Sequence, residues 1–107
     1  MNEEVDFSKY GKSFQETLAH IIFEDRPFSD QVEEVLDTNF FELKHLKVFV
    51  DRIFEYKKKY KVHPSSEVMQ TILRTSLDDE NEAVQKQVRD YFVRIMTLEA
   101  QDVDYVK

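Results

Sequence analysis

The chain has no cysteine, a single glycine and only two prolines. Without cysteine there is no disulfide framework, no thiolate nucleophile and no Cys-type zinc site. Folds built of hairpins and tight turns draw heavily on glycine and proline, so their scarcity points to helices. One glycine also excludes the loops that cradle phosphates, since G-x-x-x-x-G-K-[ST] and G-x-G-x-x-G each require more than one. No serine stands in a G-x-S-x-G elbow. No uninterrupted apolar run approaches the roughly 18–20 residues of a membrane span. The opening MNEEVDF is acidic, where a signal peptide would start basic. These absences describe a soluble, cytoplasmic, all-α protein with no nucleotide site.

What is present is enough for one core. A chain of 107 residues has the size of one domain, and 41% hydrophobic residues with nine phenylalanines can fill it. The formal net charge is -7 and the isoelectric point is about 4.9. Such a surface repels a phosphate backbone unless basic groups cluster sharply, so little direct nucleic-acid binding is expected.

The apolar spacing predicts five to six short helices in a compact bundle. Residues 1–12 read as a flexible polar lead-in, 13–98 as a globular head, and 99–107 as the start of a further helix. Ser13 and Glu16 form an S-x-x-E capping box before a helix whose apolar face is Phe14, Leu18, Ile21 and Ile22, widened by Ala19 and Phe23. Pro27 suits the first turn of a second helix facing inward through Phe28, Val32, Val35 and Leu36. Phe40 and Phe41 plug the connection that follows. A long third helix over about 43–60 turns Leu46, Phe49, Val50, Ile53 and Tyr60 inward, with Lys44, Lys47, Asp51, Glu55, Lys58 and Lys59 opposite. Ser65 or Ser66 caps a fourth helix with Val68, Met69, Ile72 and Leu73 inside. A fifth, over about 81–97, presents Val84, Val88, Tyr91, Phe92, Ile95 and Met96. The ending AQDVDYVK resembles the opening of another helix, which implies that the natural chain continues.

Only FEYKKKYKVHPSSE, residues 54–67, is strongly basic. Lysines at a helix C-terminus favour the negative end of its dipole, and the helical period alone explains the interleaved tyrosines. Lys57 to Lys61 therefore reads as a solvated helix end rather than a groove for DNA. His20 and Glu24 are four apart, but two ligands from one helix do not make a metal site. His45 and His63 have no obvious partners in sequence. The carboxylates are numerous and sit where helix faces and turns meet water, so no catalytic, cofactor-binding or metal-binding residue is singled out. An interaction module remains. Its candidate surface is apolar at Phe41, Val48, Phe54 and Val93, each off or beside a main stripe, and basic at Lys57, Lys58 and Lys61.

Two blocks carry a family resemblance. KYGKSFQETLAHIIFEDRPFSDQVEEVL, with Gln15, Leu18, Ile21, Ile22 and Asp25, resembles the opening of the N-terminal domain of DnaB-type replicative DNA helicases, especially the primase-helicase forms of tailed phages. DTNFFELKHLKVFVDRIFEYKKKYKVHPSSEVM resembles the family's next block, an aromatic pair (Phe40, Phe41), a long helix ending in Tyr60-Lys61, and a helix start at Pro64-Ser65. The resemblance spans about residues 8–107.

It implies a non-catalytic head that contributes to a collar on a hexameric ring. The partners implied are other copies of the same domain, and primase or a helicase loader. ATP and magnesium would belong to a motor domain of the full-length protein. The compartment implied is the cytoplasm of an infected bacterial host. The alternative is a free-standing small phage regulator that docks on a helicase or primase. A small helical enzyme or metal protein is a third class, which stoichiometric metal at His20 or His63 would support.

Overall fold

The computed structural model describes residues 11–106, with side chains over 11–98. Most of the expected lead-in, 1–10, and the side chains of the expected further helix lie outside these residues. The described chain is all-helical: five α-helices and one 3-10 turn, with no strand among the described residues.

α1 runs Gly11–Glu24. It begins two residues before the expected Ser13 cap, and Gly11 opens it at φ +86°, in the left-handed region that glycine enters without a Cβ penalty. Ser13 lies exposed inside the helix. The buried face is Gln15, Ala19, Ile22 and Phe23, while Phe14 and Ile21 are exposed. The inward face is thus rotated by about one residue from the apolar one. Gln15 causes the offset, because its buried amide has a task that phenylalanine at position 14 could not perform.

α2, Arg26–Glu33, starts where Asp25 Oδ1 accepts the Phe28 N–H at 3.0 Å, with Pro27 in the first turn. Such a cap stabilises by about 1 kcal/mol. The helix stops at Glu33, and the N–H groups of Val35 and Leu36 both fold back to the Val32 carbonyl. Leu36 and Val32 keep contact with the core, but Val35 is 79% exposed, contrary to the expected face. The 3-10 turn Thr38–Phe40 follows, capped by Asp37.

α3, Lys44–Tyr60, is the central element. Leu46, Val48, Phe49, Val50 and Ile53 are all buried, an arc wider than half the circumference at 3.6 residues per turn. α1 and α5 both pack on it. Phe49 stands edge-on to Phe23 and Tyr91, at centroid distances of 5.8 and 5.1 Å. Tyr60 leaves the expected inward face, because the helix ends there and its ring packs at a tilt against Tyr56, centroids 4.6 Å apart, in the last turn.

α4, Ser66–Thr75, is capped by Ser65 through the Val68 N–H at 3.2 Å. Leu77 plugs the following turn and is fully buried. Asn81 Oδ1 then accepts the Val84 N–H at 2.9 Å, and α5 runs without interruption over Glu82–Val106. The expected stop near residue 97 is absent, since no glycine or proline breaks the helix. Val84, Val88, Tyr91, Phe92 and Ile95 seat α5 in the core.

Candidate interaction surface

The expected surface does not assemble as one patch. Phe41 and Val48 are 4% and 2% exposed and belong to the core. Phe41 closes the bundle after the 3-10 turn. Val48 is inside because the central helix is covered on more than one side, so positions at the margin of its stripe are also enclosed. Phe54 is half-buried and packs against the same core. Of the four apolar candidates, Val93 alone is largely exposed, at 62%.

The basic candidates also divide. Lys57 is buried, and its ammonium bonds Asp30 and lies 3.7 Å from Glu33, both acceptors coming from α2. It fastens α2 to α3 and is not part of a solvated run. Lys58 and Lys61 are exposed. Lys61 takes the left-handed cap of α3 at φ 64°, donating its N–H to the Lys57 carbonyl at 2.8 Å.

The three histidines lie apart in function. His20 Nε2 is 3.8 Å from Glu24 on the same helix face. His45 is buried edge-on to Tyr91, and burial holds its pKa below the ordinary histidine value. His63 Nε2 donates to the Phe23 carbonyl at 2.5 Å, tying the α3–α4 connection to the end of α1. Among the described residues no three His, Asp or Glu side chains converge as a metal site. No helix among them is long and apolar enough to cross a membrane.

Two open concavities flank α4. One, about 980 Å³ between α3 and α4, carries the Tyr56–Tyr60 pair and a rim of Glu55, Glu67, Asp78 and Asp79. Arg52 crosses it to Glu55 and Asp79, at 3.4 and 3.2 Å, so much of its charge is internally neutralised. The other, about 620 Å³ between α4 and α5, is floored by Leu73, Phe92 and Met96 and walled by Val93, Glu67, Arg74 and Arg89. Of the two concavities this groove is the more apolar. Neither Lys58 nor Lys61 lines it.

Sequence reasoning reached Val93 but not the groove. The available signal was that Phe92, Val93 and Met96 form a second seam beside the Val84–Val88–Tyr91–Ile95 seam. Which helix would face that seam depends on how α4 and α5 pair. The groove offers apolar contact through Leu73, Phe92, Val93 and Met96, and charge at its wall.

Comparison with protein-family models, with curated proteins and with solved structures finds no match for this chain.

Proposed function

We propose that this chain is the non-catalytic N-terminal assembly and interaction domain of a DnaB-type replicative DNA helicase, of the phage primase-helicase branch. Its contacts are with other copies in a hexameric ring and with primase or a helicase loader. ATP, magnesium and the phosphate-binding charges belong to a separate motor domain, and the protein acts in the cytoplasm of the infected host.

One observation carries this reading: several residues of the resemblance, though not Ile21 or Tyr60, are ones on which the local structure turns. Gln15 is buried between α1 and α3, Asp25 caps α2, Phe41 closes the core, Lys61 takes the left-handed cap, and Ser65 caps α4. A motif composed of caps and plugs specifies a head, not a reaction centre. The course of α5 adds support. Its last fully seated core residue among the described side chains is Ile95, yet the helix continues to Val106, as a connecting arm would.

The intact mass of the natural gene product tests the assignment. A product extending into a motor domain with a G-x-x-x-x-G-K-[ST] loop is the expected result. A product ending near Lys107 overturns it in favour of the free-standing regulator, which the self-sufficient core also suits. Micromolar binding of single-stranded DNA by this chain at physiological salt counts against both.

A further inference from the structure

We propose that the groove between α4 and α5 is the docking site for an acidic, amphipathic α-helix of a partner protein. The floor is Leu73, Phe92 and Met96, and the exposed Val93 stands at the wall. A cleft between two helices receives a third by taking apolar side chains spaced i, i+3 or i+4, and i+7. A partner strand has nothing to extend, because no strand edge exists among the described residues.

Charge selects the partner's sign. Among the described residues Arg26, Arg52 and Arg94 each lie within 4 Å of a carboxylate, the closest of these contacts being 3.9, 3.2 and 3.2 Å. Arg74 and Arg89 have no such partner. Arg89 instead donates Nε to the Leu73 carbonyl at 2.8 Å, at the last turn of α4. That bond fixes the guanidinium beside the groove and leaves its charge uncompensated. In a chain of net charge -7, the lining of this cleft thus carries two arginines against one carboxylate, Glu67, and neither guanidinium lies within 4 Å of a carboxylate among the described residues. Carboxylates flanking the apolar ridge of an incoming helix complete both guanidiniums, whereas a basic helix meets like charge. Nucleic acid is a poor occupant, since an apolar floor does not match a phosphate backbone and the chain as a whole is acidic.

The proposal rests on the reading of this domain as an interaction module, and adds the place and the partner's chemistry. The test uses the whole chain, isotope-labelled, and two synthetic amphipathic helical peptides with the same leucine ridge. One carries glutamates on its flanks and the other lysines. The expected result is saturable amide shifts centred on Leu73, Arg74, Val93 and Met96, with the glutamate peptide bound at least about fivefold tighter. Arg74→Glu should reverse that preference. Val93→Asp should abolish binding of both peptides while leaving the thermal midpoint in place, since Val93 is already exposed. Equal affinity for the two peptides, shifts centred elsewhere, or no saturable binding overturns the proposal. So does self-association that Val93→Asp removes, because the occupant is then a second copy. The helicase assignment stands or falls separately, on the mass of the natural product.

Discussion

Lys57 and Asp30 are 27 residues apart and hydrogen-bonded, the lysine side chain buried on α3 and the carboxylate open to water on α2. Glu33 adds a second carboxylate one turn along α2. The pair ties α2 to α3. Its neighbour in the sequence, Lys58, is exposed and touches none of this.

The contrast between adjacent lysines is directly measurable. Lys58→Glu should alter stability by no more than about 0.5 kcal/mol, as for a surface position without a partner. Lys57→Glu sets a third carboxylate, little exposed, against Asp30 and Glu33, and should lower the urea midpoint several-fold more. Equal effects in chemical denaturation would show that the lysine run acts as a unit.

Asp30 gives the same contact a pH signature. The Lys57 hydrogen bond holds its pKa below the ordinary 3.8, with the Lys57 and Arg26 charges acting in the same direction. The folded state therefore binds the Asp30 proton less readily than the unfolded chain. Stability from this group is present above the ordinary value and is lost as pH falls through the lower folded one. The difference in midpoint between wild type and Asp30→Asn should be flat from about pH 5 to 7 and shrink below about pH 4. A difference that persisted unchanged into acid would refute the ion pair.

These examples show which parts of the molecule sequence could convey. Helices with strong 3.6-residue periodicity and explicit start signals were legible: Pro27, Ser65 and the Val84–Ile95 seam all stand where their types indicate. Lys57 was not, because its burial depends on Asp30 and Glu33 arriving from another helix, and nothing in KKKYK distinguishes it from Lys58. The outward turn of Phe14 and Ile21 was equally hidden, since the helix rotates to bury Gln15 instead. The groove failed for the same reason at larger scale. Val93 was visible as a stray apolar residue, but Leu73, Arg74 and Arg89 join it only through the pairing of α4 with α5.

His45 supplies a second pH dependence. Burial depresses its pKa, the Glu16 charge opposes that, and Lys12 and Arg94 reinforce it. The unfolded chain takes up the proton near the ordinary 6.5, before the folded protein does. Unfolding is therefore favoured progressively as pH falls from about 6.5 toward the folded value, and stability is full above it. Thermal midpoints measured between pH 5 and 8 should fall on the acid side, and His45→Gln should flatten that slope. An unchanged slope would place the titrating group elsewhere.

Gln15 sets the register of the bundle, and its substitution tests that role. Its Oε1 accepts the N–H groups of Glu42 and Leu43 at 2.9 and 3.2 Å, and its Nε2 donates to the Gly11 carbonyl at 3.4 Å. Leu43, the N-cap residue of α3, makes no side-chain cap hydrogen bond, and the buried Gln15 amide from α1 instead holds the backbone at the entry to the helix, Glu42 and Leu43. Gln15→Leu keeps the volume and removes every partner, leaving two partly buried donors unsatisfied. The expected cost is about 1–3 kcal/mol, despite the gain in apolar surface. Gln15→Glu should recover part of it, because a carboxylate still accepts from both N–H groups while losing the bond to Gly11. Hydrogen exchange at Glu42 and Leu43 separates this account from simple repacking. Both amides should exchange faster in the leucine variant and regain protection in the glutamate one. A leucine variant as stable as wild type, with both amides still protected, would mean that packing alone sets the rotation of α1.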